Sequence, residues 1–473
     1  MIITKFSIAI LILFTSVSSF CQDVSLDKKL GAENDLIVKQ QMGVYQDSAM
    51  TAYVAAIGNR LVSNLENSPF EYQFLLIDDP TPNAFALPGG YVYVTRGLLA
   101  LVTSEDELAG VMAHEIMHVE KRHSIGQMKK SILPGILSVP GNVIGIVSPG
   151  AGAAINAPIN AGGGLLMASY SRKDETEADV EGVILATRSG YDPRALKHIL
   201  DRISLAIVRI TGKEEEKSYM STHPYTPDRV KKINKTIKKL EPKVSAPVSN
   251  TFPKPLDGLV FGVNPKGGVF DENKFMQPEL GFSIKLPKEW NYMNMPVALA
   301  AVNTSGSSMI VLTLEDTDLM LREIADTFEL VMATKMKVKA RTSEALVING
   351  VHPARILIYD DNSNGQASVM FFVWVKVGDF TYRITGYGPR SYEEGLLLSA
   401  KSIKELTKEE QQSIDVEFFK VIEVNKEMSL ESFSENSKDE EALDRTSFFN
   451  GMNKDANLQK GQLLKVLVKE DFK

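Results

Sequence analysis

The 473-residue chain has a single cysteine, Cys21, so no disulfide framework can hold it together. It lacks an excess of positive charge. The formal net charge of −7 argues against a general nucleic-acid binder, which is usually basic. The Lys/Arg-rich piece from Arg229 to Lys239 is short and reads as a solvated helix face. Charge is absent altogether from Ser131 to Ser171. Pro134, Pro140, Pro149 and Pro158 cut that run into pieces shorter than the roughly 20 residues of a spanning helix. It is therefore read as a hydrophobic flap, a shallow membrane contact or packed core, with core as the default. What remains is ordinary: 44% hydrophobic and 23% charged residues, and length for two or three domains.

The first residues read as a leader rather than as part of the fold. Lys5 precedes an apolar stretch from Phe6 to Phe14, followed by mostly small, polar residues. This is the pattern of a secretory signal peptide over 1–21. Cleavage after Cys21 would leave a mature chain starting at Gln22 without cysteine. The alternative, Cys21 as a lipoprotein anchor, is disfavoured by the bulky Phe20 in front of it. The chain is thus expected to be exported to the periplasm or cell envelope.

The densest chemistry lies between Ser104 and His123. His114-Glu-Ile-Met-His118 sits in a stretch whose Leu108, Val111, Met112 and Val119 recur at helical spacing. Ser104 is expected to cap this helix, with Glu107 closing a capping box. Residues four apart share a helix face about 6 Å from each other. His114 and His118 can therefore point two imidazoles at one metal ion. Glu115, beside them, can reach a water on that metal. Zinc suits such ligands and keeps a position open for water. H-E-x-x-H also arises by chance in long chains, so a third ligand is needed to settle the matter.

The chain around this helix supplies candidates. Leu26 to Leu65 reads as helical, over one or two helices, with Leu36, Val54, Ile57 and Leu61 among its buried residues. Phe70–Ile77 and Tyr91–Thr95 read as strands about a turn-rich crossing at 80–90. An extended segment there, at Asn83 and Ala84, can pair with a peptide as an added strand, or be only a connecting loop. A further helix is expected from about Ser171 to Gly190. On it Glu175 and Asp179 share a face, whereas Glu177 lies about 200° round from Glu175. Glu175 is the better third zinc ligand if this helix faces the first. Asp179 can then hold a ligand histidine by its other nitrogen. Acidic residues complementing the helix dipole explain the same charges. His223 and Arg229 fall in a proline-fixed turn opening a basic helix, where they can stabilise an oxyanion or simply form a capped turn. His123 comes five residues after His118, one short of the metzincin spacing. With His198 and His352 it is read as an ordinary histidine.

Together these residues resemble the gluzincin metallopeptidase family of the CAAX prenyl protease, the HtpX-type proteases and the exported BepA- and LoiP-type proteases. Four motifs appear in the family's order: Asn-Ala-Phe-Ala at 83–86, His-Glu-x-x-His at 114–118, Glu-x-x-Ala-Asp at 175–179, and His-Pro with an Arg six residues after the His at 223–229. The resemblance covers roughly Leu30 to Leu240. It implies one zinc ion held by His114, His118 and Glu175, with Glu115 as general base. It also implies His223 and Arg229 near the oxyanion or controlling access to zinc, and Asn83 and Ala84 as substrate-strand contacts. The spanning helices of the membrane members are missing here, as is evidence of helical repeats after residue 245.

The remaining half reads as a linker at 246–270, a small α+β domain of strands and one helix at 271–407, and a tail at 408–473. Phe419-Lys-Val-Ile-Glu-Val, Asn450-Gly451 and Leu458-Gln-Lys-Gly-Gln in that tail resemble a degenerate LysM-like module, implying a cell-wall or glycan contact. The expected class is α+β: a mostly helical zincin peptidase domain with a small sheet at 22–245, then the two smaller units. The expected function is zinc-dependent endopeptidase of envelope quality control, acting on unfolded or misassembled polypeptides. The alternative is a catalytically quiet or latched envelope chaperone or assembly factor with a regulatory zinc site.

Overall fold

The computed structural model describes residues 23–128, 170–211, 223–224, 226–240, 252–361, 367–435, 437, 439 and 441–472. The leader and residues 131–169 of the uncharged run lie outside the described residues.

The N-terminal helical stretch divides into α1 (Ser25–Gln41) and α2 (Ser48–Val62). Gly43, with a positive φ, separates them, and Val44 bridges to Ile77. The buried face of α1 is polar, contrary to the expectation that Leu36 would face inward. Leu36 is 61% exposed, whereas Asp27, Asn34 and Asp35 are buried. Tyr93 Oη donates to Asp35 at 2.8 Å, and Asp27 accepts from both ends of the Arg122 guanidinium. These partnered carboxylates anchor α1 where Leu36 was expected to be buried.

A small sheet follows, of β1 (Gln73–Ile77), β2 (Ala84–Leu87) and β3 (Tyr91–Thr95), in the order β1-β3-β2. β3 runs parallel to β1 and antiparallel to β2, leaving β2 at one edge. The chain then enters α3 (Arg96–Leu101) and α4 (Glu105–Glu120). Ser104 caps α4 by accepting from Glu107 N at 3.2 Å. The Glu107 carboxylate reaches past Ser104 and accepts from Thr103 N at 2.7 Å, so the expected box is displaced by one residue. The helix does not run on to His123. Arg122 takes a left-handed backbone (φ 55°) and α5 (His123–Met128) starts afresh. The peptidase-like half is completed by α6 (Arg172–Arg188), α7 (Ala195–Thr211) and α8 (Pro227–Leu240).

The second half holds two sheets and a strand–helix–helix–strand tail. β4 (Val260–Phe261) precedes a four-stranded sheet of β5 (Val269–Asp271), β6 (Lys274–Gln277), β7 (Phe282–Lys285) and β15 (Lys404–Glu405). A seven-stranded sheet runs β11-β12-β13-β14-β10-β9-β8. Its strands are β8 (Asn291–Met295), β9 (Ala298–Val302), β10 (Met309–Leu314), β11 (Thr342–Ile348), β12 (His352–Asp361), β13 (Ser368–Val377) and β14 (Phe380–Pro389). Alternation along β13 assigns its faces. Phe372 and Trp374 pack with Phe328 of α9 (Leu321–Val331), while Phe371 and Val373 pack with Phe275 and Phe282. Two short helices, α10 (Glu393–Ala400) and α11 (Lys408–Gln412), lead to the tail: β16 (Asp415–Glu423), α12 (Leu430–Ser434), α13 (Ala442–Phe449) and β19 (Leu463–Asp471). A minor ladder joins β17 (Met428–Ser429) to β18 (Asn457–Leu458).

The described part of the expected linker is not a spacer. Leu256 and Leu259 are fully buried in the same core as α4, and β4 is the third strand of the sheet β19-β16-β4. The tail is seated on the zinc-motif half as well. Phe419 and Phe449 belong to that common core. Lys465, 0% exposed, donates from Nζ to the carbonyls of Ala100 (2.7 Å) and Val102 (2.6 Å) at the α3–α4 junction. Burial pushes its ammonium well below the ordinary lysine range. Arg202 of α7 donates to Leu101 O and Glu107 from the same junction. Lys465→Ala removes the donor of two buried carbonyls and opens a cavity. It is expected to cost about 2–4 kcal/mol, read as a lower denaturation midpoint of the full chain.

Candidate metal centre

Four segments converge on one buried cluster. α4 lays His114 and His118 on one face, with their Nε2 atoms 2.9 Å apart. α6 crosses α4 at Gly182, where an added Cβ would stand 3.0 Å from both N and Cα of His114. That close approach favours glycine and brings the acidic first half of α6 against the histidines. Gly182→Ala must push the two helices apart, and overpacking of this kind costs about 1–3 kcal/mol. The expected result is a lower melting temperature together with weaker metal retention.

At the crossing, Glu175 Oε1 lies 3.4 Å from His118 Nε2, and Oε2 lies 3.7 Å from His114 Nε2. Asp179 Oδ1 lies 3.1 Å from the other nitrogen of His114, Nδ1. Glu177 turns aside and is 40% exposed. The turn before α8 inserts His223, whose Nδ1 is 2.9 Å from Glu175 Oε1 and 3.4 Å from His114 Nε2. Its Nε2 lies 3.6 Å from Glu115 Oε1. His114, His118, Glu175 and His223 each offer a ligand atom within 4.8 Å of the others, and all four are buried. Tyr170 stacks on the His118 ring with 3.8 Å between centroids.

Arg229 is placed differently from its expected role at an oxyanion. Its Nε and Nη2 grip Asp179 at 2.7 and 2.8 Å. Nη1 meets Glu175 Oε2 at 2.7 Å and donates to the carbonyls of His223 and Pro224. A guanidinium so committed orients the carboxylates and the His223 turn and has no fork to offer a substrate. Asn83 and Ala84 lie at the start of edge strand β2, which packs near α4. The main chain of Asn83 is tied to Thr95 in both directions, and its buried side-chain Oδ1 has no hydrogen-bond partner among the described residues.

The electrostatics suit a cation. Burial pushes His118 well below the ordinary histidine range, which keeps it neutral and fit to ligate. Burial alone would raise Glu175, but His223, His118 and His114 hold it well below the carboxylate range. Burial opposes Asp179 in the same way, and hydrogen bonds from Arg229 and His114 hold it low. His223 is pulled down by burial but raised on balance by the Glu175 and Glu115 carboxylates. Three carboxylates, Glu115, Glu175 and Asp179, are buried in the cluster, and Arg229 pairs with two of them, Glu175 and Asp179. A divalent cation balances that charge, and imidazole with carboxylate is a zinc-type donor set.

Two residues of this site were not read from the sequence. Tyr170 stands alone at the end of an uncharged run, with nothing local to mark it. His123 was set aside for its spacing, yet its Nδ1 lies 2.9 Å from His118 Nδ1.

The model of peptidase family M48 matches residues 48–237. The chain is 33% identical over 231 residues to the mitochondrial metalloendopeptidase OMA1 of Schizosaccharomyces pombe, covering 47% of this chain and 64% of that protein. It is 31% identical over 217 residues to the beta-barrel assembly-enhancing protease of Escherichia coli, covering 44% of each. It is 30% identical over 188 residues to OMA1 of Saccharomyces cerevisiae, covering 39% of this chain and 52% of that protein. The chain thus spans between under half and under two thirds of the curated relatives it matches.

Proposed function

We propose, from the match of residues 48–237 to the model of peptidase family M48, that the chain is a zinc-dependent endopeptidase. The observation that carries this is the buried convergence of His114, His118 and Glu175 from two helices, with Glu115 beside them. Held by those three side chains, zinc would supply Lewis acidity, acidifying a water and polarising a carbonyl. Glu115 takes the proton of the attacking water and passes it to the leaving amine. Asp179 orients His114, and Arg229 orients Asp179 and Glu175 in turn. The edge strand β2 accepts the substrate as an added strand.

His223 is the fourth donor, and a site with four protein donors is closed. On this reading His223, counted as a fourth donor beside His114, His118 and Glu175, is a latch that withdraws before a carbonyl approaches. This same closed set favours the second reading, an assembly factor or chaperone with a regulatory zinc. Cleavage of unfolded casein by the full chain and by His223→Ala separates the two. The endopeptidase reading expects cleavage that rises severalfold in His223→Ala. An absence of cleavage in both, with zinc bound, favours the chaperone.

The proposed substrates are unfolded or misassembled polypeptides of the cell envelope. The signal-peptide-like pattern of residues 1–21 supports that location, and a relative's name, the beta-barrel assembly-enhancing protease, supports that substrate class. Among the described residues no helix is long and apolar enough to cross a membrane. The strand–helix–helix–strand order of the tail supports its LysM-like reading, with its packing on the peptidase core as the contact seen.

A further inference from the structure

We propose that His123 is a positioning residue of the metal centre, holding the Nδ1 edge of His118 and so fixing which nitrogen of His118 faces the cluster. This rests on the zinc reading above and extends it to a side chain outside the donor set.

The break after α4 is what makes the contact. On an unbroken helix a residue five positions on lies about 140° round the axis, too far to touch His118. Here Arg122 adopts φ 55°, and its guanidinium is tied to Asp27 of α1, with Nε to Oδ1 at 3.0 Å. The chain re-enters helix at His123, and its ring turns back edge-on to His118, with 4.9 Å between centroids at 73°. His123 is 7% exposed.

The proton positions follow from the geometry. His118 Nε2 faces His114 Nε2 at 2.9 Å and Glu175 Oε1 at 3.4 Å, and is the nitrogen that must present its lone pair. Its proton then sits on Nδ1, 2.9 Å from His123 Nδ1, which accepts it. His123 carries its own proton on Nε2, and that edge faces Glu177 Oε2 at 3.7 Å and Asp174 Oδ1 at 3.9 Å. Both carboxylates belong to α6, the helix that delivers Glu175. Each of the two ligand histidines of α4 thus has its far nitrogen held: His114 by Asp179, and His118 by His123. The flat faces agree, because Tyr170 stacks on the His118 ring and is held by Ser124, the residue after His123, at 2.9 Å.

The test is zinc affinity of the full chain by competition with a chromophoric chelator, with melting of the metal-free protein alongside. His123→Phe keeps the ring but cannot accept the His118 proton. It is expected to weaken zinc binding by about 10–100-fold, the usual cost of losing an outer partner of a ligand. His123→Gln can still accept and is expected to recover most of that loss. The visible spectrum of the cobalt-substituted protein should change in His123→Phe and stay near wild type in His123→Gln. Should His123→Phe fail to fold, His123→Ala against His123→Gln gives the same comparison. Wild-type affinity in His123→Phe, or a His123→Gln as weak as His123→Phe, overturns the proposal. A wild type that binds no zinc overturns the metal reading itself, which is a different outcome.

Discussion

Glu115→Gln is expected to lower casein turnover by about 10²–10⁴-fold while leaving zinc content unchanged. The residue is fully buried beside the donor cluster, yet it is not among the four side chains whose ligand atoms converge. Glutamine keeps its size and hydrogen-bonding reach but cannot take a proton from water at neutral pH. Metal retention and turnover should therefore separate in this variant, whereas His118→Ala should lose both. The comparison is made by measuring bound zinc and initial cleavage rate on the same preparation. An active Glu115→Gln enzyme would remove the base from the mechanism.

Arg229→Met is expected to destabilise the metal-free protein by about 3–5 kcal/mol, the cost of leaving buried charge without its partner. The argument rests on position. Arg229 is 1% exposed, and its guanidinium lies between Asp179 and Glu175. Removing it leaves two buried carboxylates in mutual repulsion. Zinc should restore part of the loss, because a divalent cation neutralises the same pair. Arg229→Lys should recover little, since an ammonium cannot grip Asp179 through two parallel bonds. Denaturation midpoints with and without zinc measure all three effects. A midpoint unchanged in Arg229→Met would return this side chain to the substrate-facing role that the sequence suggested.

Helical periodicity placed His114 with His118, and Glu175 with Asp179, on shared faces, while the meeting of those two faces was an expectation from the family resemblance. Residues four apart share a face, and two such faces need only meet. The strands of the second half were legible for a similar reason, since Val369 to Val377 alternates about a sheet buried on both sides. The role of Arg229 was not legible. Its distance from Asp179 along the chain is bridged only by the packing of α8 on α6. His123 was hidden by the helix break at Arg122, whose side chain bonds Asp27 near the start of the chain. Periodicity assumes the helix continues and cannot anticipate that. The expected linker failed for the opposite reason. Its Pro, Ser and Lys content suggested a spacer, but Leu256 and Leu259 were enough to bury it. The polar buried face of α1 reversed the usual reading of a leucine at helical spacing, because each buried carboxylate there has a partner.

The most direct test of the central claim is zinc stoichiometry measured together with casein cleavage on the purified protein, before and after chelation. The account predicts one zinc per chain, cleavage that stops when the metal is removed, and cleavage that returns when zinc is added back. Cleavage that persists in the metal-free protein would contradict it, as would a folded chain that retains no zinc.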